Sequence, residues 1–135
     1  MTRFALALML TLGALFHAVT PASAQGSISV RVDAVDPQVL RATTGTRVDF
    51  VNVSDRPVHV QFLGDRRRHQ VVQILGTSTI WAVFHREGPH PYEVHVLDGG
   101  RERTLRGMVN VGPGDAEPPL LECSGITVMG NCIEP

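Results

Sequence analysis

The chain has 135 residues, with 12 basic and 13 acidic side chains and a formal net charge of −1. That length holds one hydrophobic core and leaves no room for a second domain of comparable size. A charge this close to neutral lacks the basic footprint of a nucleic-acid or anionic-membrane binder.

Residues 1–24 read as a secretory signal peptide rather than as part of the fold. Arg3 supplies the positive charge, the stretch from Phe4 to Phe16 is apolar, and Ala22-Ser23-Ala24 is a small-x-small cleavage site. The apolar run is shorter than the roughly 20 residues a membrane-spanning helix needs. With no Arg-Arg pair before it and no Cys after the cleavage site, the reading is Sec-type export to a bacterial periplasm without a lipid anchor.

The stretch from Ser27 to Val35 alternates, with Ile28, Val30, Val32 and Ala34 on one face, and predicts one half-buried strand ended by Asp36-Pro37. Val39 to Ala42 continues as an extended edge. Thr44-Gly45-Thr46 is a turn signal before the β-rich run of Val48, Phe50 and Val51, and 52–57 has loop chemistry. Further strands are predicted at Val58 to Leu63, Val71 to Leu75, Thr79 to Phe84, Tyr92 to Leu97 and Met108 to Val111. A tight turn is expected at Gly88-Pro89 and a polar loop over 97–106. Seven or eight short strands separated by Gly and Pro indicate an antiparallel sandwich or barrel. Residues 25–113 make this domain. Residues 114–135 form a linker and a tail holding both cysteines, Cys123 and Cys132. An even count in an oxidising compartment favours a disulfide between them, and the tail reads as a stapled hairpin lying back on the sandwich. A metal–thiolate pair is the rival reading, but no histidine lies near them in sequence.

Three segments, in this order, resemble the cupredoxin pattern: 36–52 ending at Asn52, Pro57-Val58-His59-Val60, and Gly88 to Tyr92 followed by Gly107-Met108-Val109-Asn110-Val111. The resemblance covers residues 28 to 112 and implies an all-β, Greek-key, cupredoxin-like β-sandwich. It places the family's first histidine ligand near His59 and its methionine ligand at Met108. It also puts Val96 where the family carries the copper cysteine, and 97–106 contains no histidine. A blue site needs a thiolate with two imidazoles, so type 1 copper electron transfer is not expected. The expected role is that of an exported binding or accessory module acting through another periplasmic protein, the resemblance pointing to redox or metal-handling partners. The alternative is a non-blue copper protein using His59 with His90 or Met108.

Position parity argues against recruiting His95 to that second set, since it shares a face with Glu93 and Leu97, and puts His85 with Trp81 and Val83. Arg66, Arg67 and Arg68, followed by His69, read either as a patch for an acidic partner or as a solvated hairpin tip. Trp81 is expected in the core. No catalytic constellation is expected: Ser54, Asp55 and His59 have the residue types of a triad without a strained nucleophile turn, and there is no phosphate-cradling glycine loop.

Overall fold

The computed structural model describes residues 26–63, 71–114 and 123–133. The segment expected to be a signal peptide, the Arg66–Arg68 segment with His69, and residues 115–122 of the expected linker lie outside these residues. Among the described residues the chain is all β, with eleven strands: β1 (Gly26–Val30), β2 (Val35–Asp36), β3 (Val39–Thr43), β4 (Arg47–Asn52), β5 (Val58–Phe62), β6 (Val71–Ile74), β7 (Thr79–Phe84), β8 (Gly88–Asp98), β9 (Arg101–Gly112), β10 (Ile126–Val128) and β11 (Asn131–Ile133). They form a six-stranded sheet in the order β11-β10-β7-β4-β1-β2 and a five-stranded sheet in the order β3-β9-β8-β5-β6.

Alternation builds the core. On β4, Val48 and Phe50 are fully buried; on β5, Val58 and Val60; on β8, Tyr92, Val94 and Val96; on β9, Val109. Each set occupies every second position, as a pleated strand with one buried face requires. Edge-to-face aromatic contacts tie the sheets together: Phe50 of the six-stranded sheet meets Tyr92 and Phe62 of the five-stranded one at 5.2 and 5.6 Å, and Phe84 meets Phe62 at 6.2 Å.

Four expectations are corrected. The single strand over 27–35 is two short strands, because the Arg31 amide donates to the Ala34 carbonyl at 2.9 Å and folds β2 back onto β1. Val32 and Ala34 kept the alternation going through a turn. The polar loop over 97–106 is β-structure: Gly99 and Gly100, at φ 58° and 79°, make a two-residue turn, and β9 begins at Arg101. Gly88-Pro89 is not a turn but the start of β8, with Pro89 opposite Asn110. Trp81 stands half-buried on the outer face of the six-stranded sheet, with the Arg47 guanidinium 5.7 Å from its ring centroid.

The tail carries the expected staple, a disulfide between Cys123 and Cys132. The β10–β11 hairpin lies back on the sandwich at its edge. β10 pairs antiparallel with β7 and lengthens the six-stranded sheet by two strands.

Candidate functional site

The five-stranded sheet carries the side chains that the sequence singled out, and its pleat decides which of them can meet. On β5 the inward residues are Val58, Val60 and Phe62, and on β8 they are His90, Tyr92, Val94 and Val96. Val58 and Val96 are direct cross-strand partners, both fully buried, with the buried Ile74 of β6 on the other side of Val58. The sequence resemblance is what sets Val96 against the family's copper cysteine. The residue facing it from the Pro57–Val60 segment is Val58, not His59. Hydrocarbon side chains offer no donor atom to copper, and both thiols of the protein are consumed in the disulfide of the opposite sheet. A blue copper ion does not fit these residues.

His59 is exposed on the outer face of β5. His90 points the other way. It is 8 % exposed, its ring centroid lies 5.0 Å from that of Phe84, and its Nε2 is 2.7 Å from the Arg86 carbonyl oxygen. A carbonyl only accepts, so Nε2 carries the proton of that bond. Burial holds the His90 pKa below the usual imidazole value, helped by the nearby Arg86 charge and opposed by the hydrogen bond to the Arg86 carbonyl. On β8 the residue opposite His59 is His95, five positions from His90 and so about 16 Å along the strand. Met108 is half-buried on the outer face between Pro91 and Val39. The structure therefore does not bring His59, His90 and Met108 together. Parity separates the histidines onto opposite faces, and strand register separates Met108 from His59. Among the described residues no three His, Cys, Asp or Glu side chains form a ready metal-holding group.

Register does create a polar cluster that the sequence did not reveal. Across the outer face, His59 lies opposite His95, Gln61 opposite Glu93, His95 opposite Thr104 and Glu93 opposite Arg106. His95 Nδ1 is 2.7 Å from Glu102 Oε1, and its Nε2 is 3.2 Å from Gln61 Oε1 and 3.8 Å from Glu93 Oε2. Arg106 Nε donates to the other Glu93 oxygen at 3.0 Å. Parity correctly put His95 with Glu93; only the pairing of β5 with β8 shows that His59 joins them.

A second organiser is Asn52, fully buried at the end of β4. Its amide nitrogen donates to the carbonyls of Arg56, Ile74 and Leu75 at 2.6, 3.2 and 3.1 Å, and its oxygen accepts from the Ser54 amide and hydroxyl. One side chain thus ties the β4–β5 loop to the end of β6. At the same end of the sandwich, Arg31, Asp33, Ser54, Asp55, Asp98 and Arg103 line an open charged cleft of about 580 Å³. The Asn-x-Ser spacing is a local turn signal, but nothing in it foretells the reach to β6.

No protein-family model and no curated protein sequence matches the chain. Solved structures do. Amicyanin from Paracoccus versutus (Thiobacillus versutus) is similar with a TM-score of 0.52 at 20 % identity, covering 70 % of this chain and 87 % of that one. A reduced-state amicyanin mutant gives 0.53 at 16 % identity, covering 70 % and 88 %. A reduced Cu(I) form of another amicyanin mutant gives 0.52 at 14 %, covering 70 % and 87 %. The architecture is that of a cupredoxin-like domain, and at these identities the likeness concerns the fold.

Proposed function

We propose that this chain is an exported, cupredoxin-like accessory module that works by binding another protein and not by carrying electrons on a blue copper ion. The observation that carries this reading is the pairing of Val58 with Val96, both fully buried, at the residue that the family resemblance sets against the copper cysteine. The sandwich is retained while the seat is packed with hydrocarbon, which leaves the loops and outer faces to do the work. The periplasm is the compartment that the leader composition and the Cys123–Cys132 disulfide suit. Redox or metal-handling proteins are the partner class that the fold suggests, by analogy alone.

The test is expression with the natural leader in a copper-supplemented bacterial periplasm, followed by a visible spectrum and capture of co-purifying protein. The expected result is no intense blue-region band and one stoichiometric partner, lost when Arg66, Arg67 and Arg68 are replaced by Ala or when the cystine tail is removed. An intense band of the copper–thiolate kind overturns the reading, as does a protein that captures nothing stoichiometric from its own periplasm.

A further inference from the structure

We propose that the outer face of the five-stranded sheet holds a site for an imidazole-preferring divalent metal ion, Cu(II) ahead of Zn(II), with His59 and His95 as its two nitrogen ligands. The proposal stands apart from the accessory-module reading, since it uses the opposite face from the apolar seat.

Three observations converge on it. First, His59 and His95 are direct cross-strand partners on one face, a placement that sets their Cβ atoms about 5 Å apart. His59 is exposed and has no hydrogen bond among the described residues, so its ring can turn toward its neighbour without losing one. Second, the surroundings of His95 are those of a held ligand. Glu102 Oε1, 2.7 Å from Nδ1, accepts the hydrogen bond of a proton held on that nitrogen and so leaves the other nitrogen free for coordination, as carboxylates do behind metal-bound histidines. Third, Nε2 of the same ring faces oxygens, Gln61 Oε1 at 3.2 Å and Glu93 Oε2 at 3.8 Å. A neutral ring with its proton on Nδ1 would turn a lone pair toward them. A cation placed there satisfies the nitrogen and both oxygens at once, and swinging His59 toward it adds the second imidazole. Two imidazoles with carboxylate or amide oxygen suit Cu(II) and Zn(II), and Cu(II) binds such donor sets more tightly. In this arrangement Glu102 is a positioning residue, acting through His95.

The test adds Cu(II) or Zn(II), one at a time, to the metal-free exported protein and follows binding by calorimetry, with electron paramagnetic resonance of the Cu(II) form. One ion per chain is expected, Cu(II) the tighter, with hyperfine coupling to two imidazole nitrogens. Glu102→Gln should weaken binding about tenfold. His59→Ala and His95→Ala should each weaken it further and reduce the coupling to one nitrogen, while His69→Ala and His85→Ala leave affinity unchanged. His59→Ala removes no hydrogen bond from the described fold, so it decides the matter even if His95→Ala does not fold. Absence of stoichiometric binding, or binding unchanged in His59→Ala, overturns the proposal. Neither outcome bears on whether the chain captures a partner protein.

Discussion

At the scale of single residues, the packing around Tyr92 and His90 makes two predictions. The Tyr92 hydroxyl is buried with no hydrogen-bond partner among the described residues, and burial raises its pKa above the ordinary phenol value. An unsatisfied buried hydroxyl is a standing cost, so Tyr92→Phe should raise stability by about 1 kcal/mol in urea unfolding. The same hydroxyl crowds Gly107: a Cβ there would overlap Tyr92 Oη and Cζ. Gly107→Ala should cost about 2 kcal/mol by overpacking, and less in the Tyr92→Phe background, where the oxygen is gone but the ring carbon stays. Equal costs in both backgrounds would show that the ring moves aside. His90 and His85 both have imidazole pKa values lowered by burial from the usual 6.5. Below that value the unfolded chain takes up protons that the folded one resists, so unfolding gains protons and stability falls as pH drops. The urea midpoint should therefore fall from about pH 7 to about pH 5, and the slope should be shallower in His90→Phe.

At the scale of elements, the β8–β9 hairpin depends on two consecutive left-handed residues. Gly99 and Gly100 have positive φ, and that pair is what a two-residue turn matching the strand twist demands. Gly100→Val should cost about 1–2 kcal/mol and speed amide exchange at Asp98 and Arg101, leaving the amides of Val94 and Val109 protected. Uniform loss of protection would mean that the turn is needed for the whole fold. This hairpin also shows what the sequence could and could not disclose. The inward residues of β4, β5 and β8 were legible because one buried face forces period two. The start of β9 was not, since from Arg101 to Thr104 both faces are exposed and alternation has nothing to record. The Gly-Gly pair was the available signal, masked by polar residues on either side. Register was illegible throughout: His59 and His95 are 36 positions apart, and only the pairing of their strands makes them neighbours. The apolar seat was half visible. Parity marked Val96, but only the pairing of β5 with β8 shows that Val58 faces it on the inner side and that His59 lies on the outer one.

At the scale of the molecule, the tail finishes the sandwich. Without β10 and β11, β7 would be an edge strand, a row of unpaired amides and carbonyls open to another chain. The hairpin covers that edge and adds Ile126, Val128 and Ile133 to the common core. Its three-residue strands are too short to be stable alone, and the disulfide closes them across nine positions of sequence. Closing a loop of that size restricts the unfolded chain by about 2.5 kcal/mol. Replacing Cys123 and Cys132 together by Ser should therefore lower stability by up to that amount and release the hairpin before the rest unfolds. The protein has a single tryptophan, and Trp81 lies on the edge in question: the Met129 amide donates to its carbonyl at 3.1 Å, and its own amide lies 3.4 Å from Met129 Sδ. Its fluorescence should accordingly change at lower urea than the far-ultraviolet circular dichroism of the double variant, whereas the two transitions coincide in the native protein. Coincident transitions in the variant would mean that β10–β11 holds to β7 through its core contacts alone, with the disulfide adding stability but no attachment.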